Sequence, residues 1–550
     1  MADKSYDVVI VGGGQKGIVL AMYLTKFGGL SVGLFEERHE LGAGWSSEDV
    51  TPGWIGNTHS NNHQGHYNTP LYWDFPEWKD YGARYAYTKT SLATVFEEDH
   101  TCLAQYTCFP DVDPTQEKTA ANLGRFSKRD ADTYLKLWNQ CLDKWYPAMQ
   151  EWIWNPPTPL GQPDALERVV MDPTSGVDPI WAYQSILQAF SNLFEDPHVQ
   201  IGFFRILQSY GYQNDQPSMG LSGILSIMAM TPHHCYVVGG THALTHASQR
   251  VIFENGGEAW TSKKVDRIII ENGRAKGIRL ADGTEVEARL AVVTDVDPMQ
   301  LIFELVGPEN VAEVIARKVK NIECGWSFAM WYSWAFSERP KWKCEDFEPD
   351  VWDCMWMGLG DLDLEGLARE SSERKLGMWP NTMYLTVSYM GDSEAGRFDQ
   401  CLAPPDFGFR ILTEQYTLPA TARSDSEWKK YERQYAEDVI KRINQFAPNV
   451  DWESVVGYIP VTPDFTARNA RNYAPAGNWT TGVDNIPSQI GRFRPIPELA
   501  HHRMPGVDGL YCTGTGWHPF ALAWSPQGYN CYKVMAEDLG LKKPWEGRAF

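Results

Sequence analysis

Two clusters of glycine, one near each end of the chain, are the residues best placed to do chemistry. Near the start, Gly12-x-Gly14-x-x-Gly17 follows the apolar run Asp7-Val-Val-Ile-Val11. Far downstream, Gly509-Leu-Tyr-Cys-Thr-Gly-Thr-Gly-Trp-His-Pro-Phe520 leads to Ser525-Pro-Gln-Gly-Tyr-Asn530, with Gly514 and Gly516 spaced as a turn. Glycine has no Cβ, so backbone at such positions can approach a phosphate or a flat ring closely. Glu36 lies about 20 residues beyond Gly17, the separation at which a carboxylate accepts the ribose hydroxyls of a dinucleotide. The two joints imply one nucleotide-cofactor site closed by both ends of the protein. His59, His63 and His66 are spaced closely enough to suggest metal ligands, but no acidic or cysteine partner is patterned beside them, and no metal is expected.

These residues need particular elements to hold them. Val8 to Val11 is continuously apolar, as in a strand buried on both faces. Ile18, Leu20, Ala21 and Leu24 recur at helical spacing, Gly28-Gly29 stops that helix, and Ser31 to Phe35 reads as a second strand. The result is a βαβ unit that brings a helix N-terminus to a pyrophosphate. Residues 76 to 235 are rich in aromatic side chains, with helical stretches at Asp130 to Trp145 and Pro179 to Phe194. Gly220 to Met230 is too short to span a membrane and reads as a buried helix or pocket wall. Val237 to Phe253 reads as a loop feeding an amphipathic helix. Three short strands around Val265, Gly277 and Glu285, punctuated by Glu271-Asn-Gly and Ala281-Asp-Gly, are hairpin signals. The expected fold is α/β. A Rossmann-like cofactor domain of residues 1–75, 236–298 and 505–550 is interrupted by a larger mixed α+β substrate domain of residues 76–235 and 299–504.

Composition narrows the partners. The 550 residues carry 49 Lys plus Arg against 70 Asp plus Glu, a net charge of −21. That balance repels nucleic acid and argues against anionic membrane surfaces. The ten cysteines form no CxxC pair, which favours a reducing compartment. The chain passes almost at once into a strand, leaving no room for a secretory signal. No apolar run approaches a membrane span, so a cytoplasmic protein is expected, with peripheral membrane association still open.

The ordered blocks carry a family resemblance. Gly12-Gly-Gly-Gln-Lys-Gly-Ile-Val-Leu-Ala21, Leu34-Phe-Glu-Glu-Arg-His-Glu-Leu-Gly-Ala-Gly44 and Pro52-Gly-Trp54 open the chain. Val238-Gly-Gly-Thr-His-Ala-Leu244, Val292-Val-Thr-Asp-Val-Asp-Pro298, Arg494-Pro-Ile-Pro497, His502-Arg-Met-Pro505 and the Gly509 to Pro519 block follow in order. The whole length resembles the phytoene-desaturase-like FAD-dependent oxidoreductases, relatives of the amine oxidases with a glutathione-reductase-type FAD domain. The resemblance implies noncovalent FAD. Gly12, Gly14, Gly17, Glu36, Glu37, Gly44 and Val265 would hold its adenosine and pyrophosphate side. Gly514, Gly516, Gln527 and Asn530 would lie along the ribityl chain and the isoalloxazine. The proton acceptor is expected among the histidines, His518, which follows the second turn, or His59, while Tyr529 could donate to a substrate oxygen. His66, Trp517, Phe520, Leu522 and Trp524 would touch substrate.

Two departures from the family pattern matter. Ala43 replaces the second glycine of a double glycine, with Gly44 next to it. The family's glycine-rich stretch after His-Pro is replaced here by Phe520-Ala-Leu-Ala-Trp524. Bulky side chains there narrow the cavity and favour a compact, apolar or alicyclic substrate such as a cyclic ketone over a long polyene. Dehydrogenation of a carbon–carbon bond, with oxygen or a quinone as electron acceptor, is the leading reading. A flavin-dependent amine oxidase or isomerase on the same scaffold is the enzyme alternative. A flavin-free lipid-binding escort protein is the alternative from another class, opposed by the intact glycines at both turns and by Glu36.

Overall fold

Val8, Val9, Ile10, Val32 and Leu34 are all fully buried, the condition under which a strand is apolar at consecutive rather than alternate positions. A computed structural model describes residues 4–64, 69–380, 383–389, 409–471, 482–520 and 525–548. In it Lys4–Val11 runs parallel to Val32–Phe35 on one side and to Glu285–Asp295 on the other, and Glu258–Trp260 extends the sheet beyond Val32–Phe35. Glu285–Asp295 has 11 residues and is long enough to be shared. Its first half pairs antiparallel with Arg274–Leu280, which turns back along Val265–Glu271. Its second half pairs in parallel with Leu510–Thr513. The strand that precedes each glycine turn is therefore a neighbour of the same central strand.

A second seven-stranded sheet runs Val455–Val461, Ala329–Phe336, Phe409–Tyr416, Leu385–Tyr389, Cys354–Gly360, Thr90–Phe96 and Cys102–Tyr106. One face is covered by the 22-residue helix Asp425–Phe446 through Trp428, Val439 and Ile443, packed with Trp334 and Ile411. The opposite face carries Trp331, Leu412 and Tyr416. Trp331 Nε1 and Ser333 Oγ both donate to the carbonyl of Asn57, at 3.0 and 3.2 Å, which fastens this face to the stretch leading to His59.

The helical stretches expected from sequence differ in detail. Lys128–Gln140 continues through a wider turn at Cys141–Trp145 into Tyr146–Ile153, so the helical path outlasts Trp145. Pro179 to Phe194 is two pieces, Pro179–Ala182 and Ile186–Leu193, because Ser185 and Gln188 form a reciprocal capping box that starts a new helix. Gly220–Leu225 and the turn Ser226–Met230 are mostly buried, and no described helix is long and apolar enough to cross a membrane.

Candidate active site

The first glycine turn is shaped by what lies behind it. Gly12 has φ +98°, and a Cβ there would stand 2.5 Å from the carbonyl oxygen of Asp295. A Cβ on Gly17 would stand 2.7 Å from the carbonyl of Gly12. The Gly17 amide donates to Asp295 Oδ2 at 2.8 Å. Gly14 caps the helix Gln15–Lys26 with extended backbone and no side chain in the way. The Gly13 amide donates to Glu36 Oε2 at 2.7 Å and the Arg38 amide to Oε1 at 2.8 Å. Burial raises the Glu36 carboxyl above its usual range, and those two amides pull it back down. Gly12, Glu36, Glu37, Val265 and Arg471 share one cavity of about 360 Å³. Glu37 sits at its outer edge, 3.3 Å from Lys264 Nζ. The Gly44 carbonyl accepts from Ser60 Oγ at 2.6 Å, which ties the start of the cofactor domain to the histidine stretch.

The second turn reaches the same carboxylate. Gly514 has φ +133°, and a Cβ there would approach Asp295 Oδ1 to 3.2 Å. Gly516 is nearly as tight, 3.2 Å from the Pro298 ring. Arg494, fully buried, donates to the carbonyls of Gln489 at 2.9 Å, Val483 at 3.0 Å and Thr515 at 3.1 Å. The last of these pins the turn between its two glycines. Burial lowers the Arg494 guanidinium to about 9. The helix Pro526–Leu539 follows; from its first turns Gln527 Nε2 donates to the carbonyl of Phe520 and Asn530 Nδ2 to that of Ile153, both at 2.9 Å.

His518 is fully buried beside the turn. Its Nε2 lies 2.9 Å from the carbonyl of Trp152. A carbonyl can only accept, so Nε2 carries the hydrogen and Nδ1 holds the lone pair. Burial lowers its pKa to about 4, so the ring is neutral at pH 7. The Trp152 indole meets the His518 ring edge-on at 5.1 Å and stacks on Phe520 at 5.8 Å.

The other candidates are spread more widely. His59 is buried and held near 3, first by burial and then by the charge of Arg38. Tyr529 packs between Tyr23 and Trp154, at 5.2 and 5.4 Å, on the side of its helix that faces Gln15–Lys26. Trp517 points into the core under the cofactor sheet with Val296, Leu499 and Cys512, its Nε1 donating to the carbonyl of Leu499 at 3.1 Å. His66, Leu522 and Trp524 lie outside the described residues. Among the described residues no cluster of three His, Cys, Asp or Glu is arranged to hold a metal.

Three residues with strong positions carry no role in the sequence reading. Asp295 touches both glycine turns, and its only sequence signal is its place at the end of an apolar strand. Arg494 sits in the Arg494-Pro-Ile-Pro497 block without a spacing that announces a contact to Thr515. Glu414 stands directly opposite Trp331 and Thr386 in the second sheet, on the face fastened to Asn57. Burial raises Glu414 to about 8, so it is a neutral carboxyl and a hydrogen-bond donor at pH 7.

Comparison with known proteins agrees with this architecture. The model of the NAD(P)-binding Rossmann-like domain matches residues 10–85. A limonene dehydrogenase chain from Castellaniella defragrans is 23% identical, with 98% of this chain and 96% of that protein aligned. The neurosporene-forming phytoene desaturase of Rhodobacter capsulatus is 27% identical over 52% of this chain and 50% of its own length. The chain is similar to the phytoene-desaturase-like oxidoreductases over much of its length. Cyclohexylamine oxidase from Brevibacterium oxydans has the same fold, with a TM-score of 0.53 at 12% identity and coverage of 97% of this chain and 99% of its own. The residues present fit the FAD that this resemblance implies. Gly12 and Gly17 let the turn pack where a Cβ would strike the carbonyls of Asp295 and Gly12, Glu36 offers a carboxylate in the adjoining cavity, and the Gly514–Gly516 turn follows a strand paired with the same central strand.

Proposed function

We propose that the chain is a desaturase that removes a hydride and a proton from adjacent carbons of a small, neutral, alicyclic substrate such as a cyclic ketone. The observation that carries the proposal is the stacked pair Trp152–Phe520 beside His518. It puts aromatic bulk where the family pattern has glycine. The reading is supported by the alignment, over nearly the whole chain, with a relative whose name gives limonene, itself alicyclic, as its substrate; the phytoene desaturase aligns over half.

FAD, when bound, accepts a hydride from carbon. Glu36 and Glu37 would hold its adenosine side with Val265, and the N-terminus of the helix Gln15–Lys26 its pyrophosphate. His518 Nδ1 takes the proton from the carbon next to the carbonyl, since Nε2 is spent on Trp152. A neutral imidazole in a dry site is suited to a carbon acid and would lose that ability if protonated. His59 is the second candidate base. Tyr529 and Trp517 act through packing. On this reading residues 1–75, 236–298 and 505–550 form the FAD domain and residues 76–235 and 299–504 the substrate domain. Oxygen or a quinone reoxidises the enzyme, and the work is cytoplasmic.

The test is anaerobic addition of cyclohexanone-type ketones to the purified yellow protein. Bleaching of the flavin with appearance of the conjugated enone is the expected result. Bleaching by primary amines and not by any saturated cyclic ketone or hydrocarbon would replace this reading with amine oxidation.

A further inference from the structure

A second cavity, about 600 Å³, is lined in part by Trp152. Its wall is mainly apolar, with Trp152, Leu166, Val170, Leu221, Ile490 and Phe493. Apolar side chains also mark its outer rim, where Met171 is 62% exposed and Phe493 38%. Three charged groups line it, Asp164, Glu167 and Arg492, but they face one another. Arg492 Nη1 donates to the carbonyls of Gln162 at 2.8 Å and Pro159 at 3.2 Å, while Nη2 pairs with Glu167 and lies 3.5 Å from Asp164. A charged ligand would give up its water and find these partners already engaged. A neutral apolar molecule would gain by covering the wall.

Trp152, which lines this cavity, also meets the rings of His518 and Phe520. One side chain is therefore shared by an apolar cavity and the turn that carries the proposed base, and the backbone of Gly491, which donates to the carbonyl of Pro519 at 2.9 Å, joins them as well. We propose that this cavity is the entry site for a neutral alicyclic molecule, and that Trp152 is the side chain past which it reaches His518. This rests on the desaturase reading for the identity of the molecule, but the binding site stands on its own geometry.

The test uses the FAD-loaded protein and the neutral fluorescent probe N-phenyl-1-naphthylamine. The native protein should give saturable probe fluorescence that cyclohexanone displaces. Ser222→Trp and Ala182→Trp fill the cavity from two different elements, and neither residue belongs to the proposed catalytic machinery. Each should weaken probe binding about tenfold or more, with flavin content and circular dichroism unchanged. Each should also raise the ketone concentration needed for half-maximal flavin reduction while leaving the limiting rate alone. Absence of saturable probe binding to the native protein, or unchanged binding in both variants, overturns the proposal. If cyclohexanone displaces the probe and never reduces the flavin, the site stands and the desaturase reading falls. If ketones reduce the flavin with the same concentration dependence in native protein and both variants, the desaturase reading stands and the entry site falls.

Discussion

The amide of Gly17 donates to Asp295 Oδ2 at 2.8 Å across 278 residues of sequence, so the turn expected to receive a pyrophosphate is held by the end of a strand from another part of the chain. Burial raises the Asp295 carboxyl and lowers the Lys16 ammonium, and each charge opposes the shift of the other. The glycine motif is thus one half of a joint.

Asp295→Ala should loosen that joint. An unsatisfied buried amide costs about 1–3 kcal/mol, so the melting temperature should fall by several degrees and flavin should be lost on gel filtration. Asp295→Asn keeps an oxygen acceptor and should retain most of the flavin. Equal retention by native protein and Asp295→Ala would show that the carboxylate is not a support of the turn.

Arg494→Lys should weaken the second turn. A lysine has one nitrogen where the guanidinium spans three carbonyls, including that of Thr515. The expected outcome is a lower flavin-to-protein ratio after dialysis and a lower melting temperature, with secondary structure by circular dichroism unchanged. A variant with native flavin content would sever the link between Arg494 and the turn.

Glu414 gives a pH dependence with a definite sign. Its folded pKa, about 8, lies above the ordinary value of 4.5, so between these values the folded state holds a proton that the unfolded state has lost. Stability from this group therefore falls as pH rises from about 4.5 to about 8. Glu414→Gln, which is neutral throughout, should flatten that part of a melting-temperature profile against pH. A native and a variant profile of identical shape would rule out a protonated Glu414.

His518→Ala should slow flavin reduction by about 10²-fold or more, the usual loss for a general base, while FAD stays bound. The native rate should fall as pH drops through about 4, where the buried ring becomes protonated. Stopped-flow reduction at the native rate in His518→Ala would move the proton role to His59.

Sequence patterns located the glycine turns, Glu36 and the hairpins after Val265 because each depends on local rules: spacing, turn chemistry and strand alternation. Gly12, Glu36, Glu37 and Val265 do share one cavity, although they come from distant stretches. Asp295, Arg494 and Glu414 were silent because their positions depend on which strands become neighbours. Trp152 was hidden for the same reason. It lies in a helix remote in sequence from His518, and the two meet only in the folded chain, where the Trp152 carbonyl stands 2.9 Å from His518 Nε2. Trp517, adjacent to the turn, shows the converse, since a side chain next to a motif can face the core.

The pairing of Leu510–Thr513 with Glu285–Asp295 has a consequence for assembly. The Gln15–Lys26 unit and the hairpins near Val265 close over short loops and can form early. The second glycine turn cannot take its place until Leu510–Thr513 has found a partner more than two hundred residues upstream, and contacts of such separation form slowly. Cofactor capture should therefore come late in folding and act as a latch on it. In refolding experiments, added FAD should leave the early phases alone and raise the yield of the last.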